Sequence, residues 1–328
     1  MRFGLRLPSF ALGPDTASLA TMGAYLRRAE DLGFGSALLI DHLLTAPPAY
    51  RVTWLEPITL LAALSGVTRT IRLGTLVLVL PFRDPVLLAK EWATLDVLSG
   101  GRTILGVGVG WHEGEFEAVR IPRRERGRRM DELLDALTAL WSGEPATHRG
   151  RFYAFEDLLI EPQPVQRPHP PIWIGGGTQP HERIYEQQVD TVRPVLERIA
   201  RYADAWVPHS SATAEMVRGD WEVVQEAMVR DGRDPTSMSR VYSNFVHVLA
   251  PGEAPASAAP RFRTFSGMDL DYWQSFYLLG EAGPLAERIR GKIEALGGVD
   301  EVILNPLDWD VGALERLATT VLPLLEGA

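Results

Sequence analysis

Three observations predict a closed (β/α)8 barrel, the TIM barrel architecture. Strand and helix signals alternate eight times from end to end. The strand signals are near-continuous apolar runs rather than in–out alternations, which marks a parallel sheet covered by helices on both sides. No shift of composition divides the 328 residues, so they read as one domain, 1–328. An open doubly wound sheet is the alternative arrangement of the same alternation.

The first unit is a strand at Phe3–Pro8 followed by helical spacing through Leu19, Met22, Leu26, Ala29 and Leu32, with Gly33 as its stop. The second strand, Ser36–Ile40, ends abruptly in Asp41 and His42, and Pro57–Leu64 is its helix. Ile71–Leu80 reads as one long central strand. Asp84-Pro85 then looks like an N-cap with proline in the first turn, and Gly100-Gly101 ends that helix. Thr103–Val107 is the fourth strand and Glu125–Trp141 its amphipathic helix. The remaining units pair Pro171–Ile174 with His181–Tyr202, Asp204–Val207 with Ala212–Arg230, Arg240–Leu249 with Gly283–Leu296, and Glu301–Leu304 with Val311–Leu325. Two stretches exceed ordinary connections, the proline-rich Gly143–Pro170 and Ala250–Gly280. Such insertions are expected at the C-terminal face of the strands, as lids or binding loops.

Composition narrows the function. A net charge of −9 argues against a nucleic-acid partner. The basic stretch Arg123–Arg129 is interrupted by Glu125 and reads first as a helix entry, with a phosphate surface as the alternative. With no cysteine there is no disulfide frame, thiolate zinc site or Cys nucleophile. No apolar run is long enough to span a membrane, and the N-terminus reads as a strand rather than a leader, so a cytoplasmic protein is expected.

Barrel active sites collect at the C-terminal ends of strands. His42 is therefore a candidate proton donor or acceptor, with Asp41 beside it; the bland reading is a turn-capping Asp and a surface His. Gly106, Gly108 and Gly110 in LGVGVGW lack a dinucleotide fingerprint, but they let backbone pass close to something flat or bulky. Gly175, Gly176 and Gly177 after the fifth strand form a turn whose amides suit a phosphate. The seven histidines are scattered, His112-Glu113 lacks the second His of H-E-x-x-H, and no metal is expected. There is no G-x-S-x-G. Asp41, Glu113 and Asp204 are the acids one would nominate for glycosidase chemistry, without support from spacing. Trp54, Trp111, Trp173, Phe152 and Tyr153 suggest an apolar or aromatic pocket, although each alone suits a core.

Taken together, FGLRLP, LGFGSALLIDHLL, the block Arg69–Val119, RGRRMDELLDALTALW, PPIWIGGG, RIARYADAWVP and LAERIRGKIEALGGVDEVIL resemble the bacterial luciferase-like superfamily of flavin and deazaflavin oxidoreductases, and most closely its F420-dependent branch. The resemblance runs from residue 3 to 304. It implies a cofactor ring at the barrel mouth, propped by a non-proline cis peptide at Leu76-Val77. It also implies His42 near the redox-active face, Gly108, Val109 and Gly110 lining the cofactor, and Gly175–Gly177 near its phosphate.

The sequence departs from the sugar-phosphate dehydrogenases of that superfamily. Trp111 stands where they carry Glu, and Ala46 where they carry Trp. The stretch TQPHERIYEQQVDTVRPVLE after the glycines is longer than in most relatives, and Arg183 is its obvious cation. The resemblance implies hydride transfer between F420 and a small organic substrate, with an FMN-dependent luciferase-like monooxygenase as the alternative. A non-redox barrel hydrolase or an inactive binding barrel stands behind both. It also suggests a homodimer, for which Leu60, Leu61, Leu64, Leu87, Leu88 and Trp92 are the candidate face.

Overall fold

The computed structural model describes residues 1–11, 16–180 and 192–325. Eight parallel strands form a closed ring: β1 Arg2–Arg6, β2 Ser36–Leu39, β3 Arg72–Thr75, β4 Thr103–Gly108, β5 Ile172–Gly175, β6 Ala205–Val207, β7 Ser239–Val248 and β8 Glu301–Asn305. Each pairs with the next, and β8 pairs back onto β1 with Gly4 opposite Ile303 and Leu5 opposite Leu304. The barrel helices are α1 Leu19–Asp31, α2 Pro57–Ser65, α3 Pro85–Ser99, α4 Arg126–Leu140, α5 Val192–Tyr202, α6 Ala214–Arg230, α7 Ala282–Ala295 and α8 Val311–Arg316. Part of the expected helix from His181, and Arg183 with it, lies outside the described residues.

Local chemistry sets the element ends. Asp84 accepts the amides of Val86 and Leu87 at the start of α3, and Gly100 closes that helix at φ 70°, where a Cβ would be strained. Ser18 and Thr213 cap α1 and α6 in the same way. The barrel interior is filled by Leu38, Leu76, Ile104, Trp173, Ala205, Val207, Val241 and Ile303. Trp173 is thus core. A larger apolar layer lies between strands and helices, and includes Leu61, Leu64, Leu88 and Trp92, which are fully buried.

Beneath the ring, buried Glu301 accepts from Ser36 Oγ at 2.6 Å and Arg72 Nη2 at 2.6 Å, with Arg2 Nε at 3.4 Å. One carboxylate therefore ties β8 to the three strands beyond the closing seam.

The long third strand is interrupted. β3 ends at Thr75, the Leu76-Val77 peptide is cis, and Leu78–Val79 resumes pairing with β4 before a 3-10 turn at Leu80–Phe82. An apolar run cannot by itself distinguish a straight strand from a bulged one.

The two insertions take different places. Gly143–Pro170 connects a helix to the next strand, and its hairpin (Ala146–Arg149 with Ala154–Leu158) lies along the outside of α4. Glu132 of α4 accepts the amides of Arg151, Phe152 and Tyr153. The segment then returns to the strand starts, where buried Asp96 accepts the amides of Val165 and Gln166. It is an outer brace, not a lid, and Phe152 packs under Arg129 there, 4.4 Å from its Cζ. Ala250–Gly280 does cover the mouth: helices Ala259–Phe265 and Leu270–Phe276 bury Phe262, Phe265 and Trp273 against Phe10, Trp54 and Phe245.

Candidate active site at the barrel mouth

A cavity of about 280 Å³ opens at the C-terminal ends of the strands. Val77, from the cis bulge, forms its back. The Val77 side chain fits between two glycines: a Cβ on Gly108 would sit 2.7 Å from Val77 Cγ2, and one on Gly175 2.9 Å from Val77 Cγ1. Gly110, at φ 74°, leaves room for Val79 in the same way. The glycines are required because the bulge fills the space their side chains would take, and the result is a flat shelf. Leu76, Val109 and Gly108 line the same cavity.

Gly176 and Gly177 have φ values of 149° and 131°, conformations that favour glycine. The turn spends two of its amides internally. Gly176 donates to Val207 O at 3.1 Å, and Thr178 donates to Asp220 Oδ2 at 2.6 Å. Three glycines in sequence therefore offer fewer amides to a phosphate than their number suggests, and a carboxylate stands beside the turn.

Asp41 and His42 leave β2 in opposite roles. Buried Asp41 accepts the Val79 amide at 2.9 Å and pairs with Arg83 Nη2 at 2.8 Å, tying the β2 exit to the chain just after the bulge. Burial pushes its carboxyl up from the ordinary value, more than Arg83 and the amide pull it down. His42, whose side chain is 7% exposed, places Nδ1 3.0 Å from Glu115 Oε1. The same oxygen accepts the amides of Leu43 at 2.7 Å and Leu44 at 3.1 Å. Burial pushes the Glu115 carboxyl up, but the His42 hydrogen bond and the two amides outweigh it and hold it below its ordinary value. An ionised Glu115 fixes the His42 tautomer with its proton on Nδ1, which leaves Nε2 as the nitrogen a bound molecule can meet.

Aromatic rings surround this pair. Tyr50 lies 5.2 Å and Trp111 5.7 Å from the His42 ring centroid, and Trp54 6.3 Å. Across the mouth are Arg6 from the end of β1, Ser243 and Phe245 from β7, Asn305 from β8, and His209 after β6. The Arg6 guanidinium lies 4.6 Å from the Phe245 ring centroid. Burial, and then Arg6, pushes His209 down to about 4, so its ring is neutral at pH 7.

All ten residues nominated from sequence, Asp41, His42, Leu76, Val77, Gly108, Val109, Gly110, Gly175, Gly176 and Gly177, thus line one cavity. Sequence reasoning missed Glu115, Tyr50, Arg6 and His209. Of the three acids considered for glycosidase chemistry only Asp41 lines the cavity: Glu113 pairs with Arg123 at 3.4 Å on the surface, and Asp204 accepts the Ile172 amide at the start of β5. Arg129 is paired with Glu125 at 3.0 Å. Among the described residues no three His, Asp or Glu side chains gather in a metal-binding group, and no helix is long and apolar enough to cross a membrane.

A family model described as luciferase-like monooxygenase matches residues 1–300. An uncharacterised protein of Mycobacterium tuberculosis is 37% identical over 232 residues, covering 65% of this chain and 76% of that protein. An F420-dependent glucose-6-phosphate dehydrogenase of Microbacterium testaceum is 35% identical over 187 residues, 53% of this chain and 51% of that one. An FMNH(2)-dependent dimethylsulfone monooxygenase of Pseudomonas putida is 38% identical over 127 residues, 38% of this chain and 35% of that one. In fold, the chain superposes on the monooxygenase RslO1 of Streptomyces bottropensis with a TM-score of 0.81, at 23% identity, over 98% of this chain and 99% of that one.

Proposed function

The chain belongs to the luciferase-like monooxygenase family of flavin- or F420-dependent enzymes, and from that premise we propose that it is an F420-dependent oxidoreductase, transferring a hydride between the deazaflavin and a small organic substrate. The observation that carries this reading is the His42–Glu115 pair standing beside the shelf built by Val77, Gly108 and Gly175. A shelf cleared of side chains suits a planar ring, and a held imidazole suits the proton that accompanies a hydride.

When bound, F420 supplies hydride chemistry, and FMN supplies hydride and oxygen chemistry. The chain supplies position and proton traffic. Leu76, Val77, Gly108, Val109 and Gly110 would hold the ring, and Gly175–Gly177 are the residues that would lie on the phosphate side. With its other proton held on Nδ1, His42 Nε2 would take the proton of a substrate hydroxyl in the oxidising direction, and the imidazolium so formed would return it in the reducing direction. Glu115 holds the tautomer and offsets the charge on the ring. Asp41 is a positioning residue, fixing the bulge through Val79 and Arg83. Tyr50 and Trp111 exclude water from the reacting centre.

An FMN-dependent monooxygenase is the second reading, favoured by the similarity to the FMNH(2)-dependent enzyme. Anaerobic titration of the protein with F420 and with FMN, followed by absorbance and tryptophan fluorescence, separates them. Saturable F420 binding with weak FMN binding is expected; the reverse order replaces the first reading with the second, and binding of neither removes both. The same proposal takes residues 1–328 as one cytoplasmic barrel domain that pairs with a second copy. Of the six apolar residues nominated for that face, Leu87 is 64% exposed and Leu60 half-buried, while the other four pack inward; Leu98 of α3 is also 64% exposed.

A further inference from the structure

We propose that Asp220 sets which phosphate the glycine turn accepts, disfavouring the doubly charged monoester of FMN relative to the singly charged diester of F420. The inference rests on the reading of that turn as the phosphate side of the cofactor, and adds the residue that tells the two cofactors apart.

The underside of the turn carries the argument. Asp220 belongs to α6, yet its carboxylate is held against the chain that leaves β5. Thr178 gives it both an amide, at 2.6 Å to Oδ2, and a hydroxyl, at 2.7 Å to Oδ1. The approach is so close that a Cβ on Gly177 would stand 2.6 Å from Asp220 Oδ2 and 3.4 Å from Trp206 Cζ2. Trp206 closes the same side, with Nε1 donating to Gly176 O at 2.7 Å and its ring stacked on that of Trp221, centroids 6.0 Å apart. Asp220 is 5% exposed, and among the described residues no Lys, Arg or His pairs with it. Burial pushes its carboxyl up from the ordinary value, more than the two Thr178 bonds pull it down. It is a poorly solvated negative charge, and every further charge brought to the turn is set against it.

The donors point the same way. Gly176 donates to Val207 O and Thr178 to Asp220, so of these amides only that of Gly177 has no acceptor among the described residues. The wall around the turn is apolar, with Val77, Val195 and Val207. Among the described residues the sole Arg or Lys lining the cavity is Arg6, which ends β1, four strands from β5 in the ring of eight. Arg193 of α5 is exposed and does not line it. FMN ends in a phosphate monoester, whose second ionisation falls near pH 6, whereas the phosphate of F420 is esterified on both sides and carries one charge. One amide beside a buried carboxylate suits the smaller charge.

Riboflavin, FMN and the methyl ester of FMN are the probes, because they share one ring and carry no phosphate charge, two and one at pH 8. Each is titrated into cofactor-free protein and read by quenching of tryptophan fluorescence, since Trp206 adjoins the turn. Wild type is expected to bind the methyl ester about tenfold more tightly than FMN, the effect of one unit of charge at a partly screened site. Asp220→Asn keeps both Thr178 bonds, its carbonyl accepting the amide and its NH₂ donating to the hydroxyl. It should erase that preference and tighten FMN relative to riboflavin about 100-fold, with riboflavin affinity unchanged and the unfolding temperature no lower. Thr178→Val loosens the turn but leaves the charge, and should keep the preference. A carboxylate that only holds the turn would make Asp220→Asn loosen FMN, never tighten it. That result overturns the proposal, as do equal affinities for FMN and its ester in wild type, or a preference that survives Asp220→Asn. F420 is titrated alongside. F420 binding without the charge preference removes this role from Asp220 and leaves the F420 reading standing. The preference in a protein that binds no F420 sustains Asp220 and refutes that reading, so the two fail separately.

Discussion

Replacing Glu115 by Gln tests the centre of the site with a change of one atom. The Glu115 oxygen holds three donors, from His42 Nδ1 and the amides of Leu43 and Leu44. Gln can place its carbonyl where that oxygen stands and accept from all three, but as a neutral acceptor, so each bond loses its charge assistance. A hydrogen bond to a charged group contributes about 1.5–3 kcal/mol and a neutral one about 1, so weakening three bonds at a buried acceptor costs about 2–4 kcal/mol. That corresponds to a fall in unfolding temperature of roughly 4–10 °C. The pH dependence follows from the depressed carboxyl. Glu115 contributes its stability fully above its ordinary value of 4.5, and loses it as pH falls through its lower folded value. The deficit of Glu115→Gln should therefore be full at pH 7 and shrink below about pH 4.5. Turnover should fall by no more than the whole contribution of positioned proton transfer, about 10²–10⁴. The direct assay needs no substrate: imidazole ¹⁵N shifts, with His42→Ala to assign the resonance, report which nitrogen carries the proton. Wild type and Glu115→Gln should both hold it on Nδ1, and Glu115→Leu, which removes the acceptor, should release that preference. A wild-type Nε2–H tautomer, or one unchanged in Glu115→Leu, would refute the reasoning.

Three further outcomes are expected. Gly108→Ala puts a Cβ 2.7 Å from Val77 Cγ2; it should cost about 1–3 kcal/mol and weaken cofactor binding, and adding Val77→Ala should restore both, as measured by urea unfolding and titration. His209, with its folded value near 4 against an ordinary 6.5, stabilises the fold fully above pH 6.5 and less as pH falls toward 4. Wild type should thus lose about 3 kcal/mol over that interval, and His209→Gln should not, by urea unfolding at each pH. Light scattering should give a dimer mass that Leu87→Glu with Leu98→Glu converts to a monomer; a wild-type monomer would remove the dimer.

The barrel was readable because each strand is buried on both faces, so its apolar run and its stop are local facts. Asp41 and His42 stand out for that reason: two polar residues end a run that must end at the mouth. Glu115 does not, because its meaning comes from His42, 73 residues earlier in the chain. In sequence it is one acid among several after Trp111. Arg6 and His209 are hidden in the same way, since a cation inside FGLRLP reads as strand until the ring closes around it. The glycines were legible as close approaches but not for their cause. Only the fold shows that Gly108 and Gly175 make room for Val77 from another strand. Gly143–Pro170 misled because length alone does not say which end of a barrel a loop serves; the acceptors Glu132 and Asp96, which draw it outward and down, belong to helices already passed.

The carboxylate beneath the ring has a consequence for how the chain assembles. Glu301 reaches Ser36, Arg72 and Arg2, so residues near the two ends of the sequence hold complementary halves of one lock. A growing chain stopped at residue 300 has the two arginines and the serine but not the carboxylate they surround. Closure therefore waits for the last strand, and a contact spanning more than 200 residues makes it a late event. A fragment that ends short of β8 should remain an open, aggregation-prone sheet however well its first seven units are packed. A permuted chain that begins at α4 and joins the old ends by a linker would instead synthesise lock and key side by side, and should close its seam early.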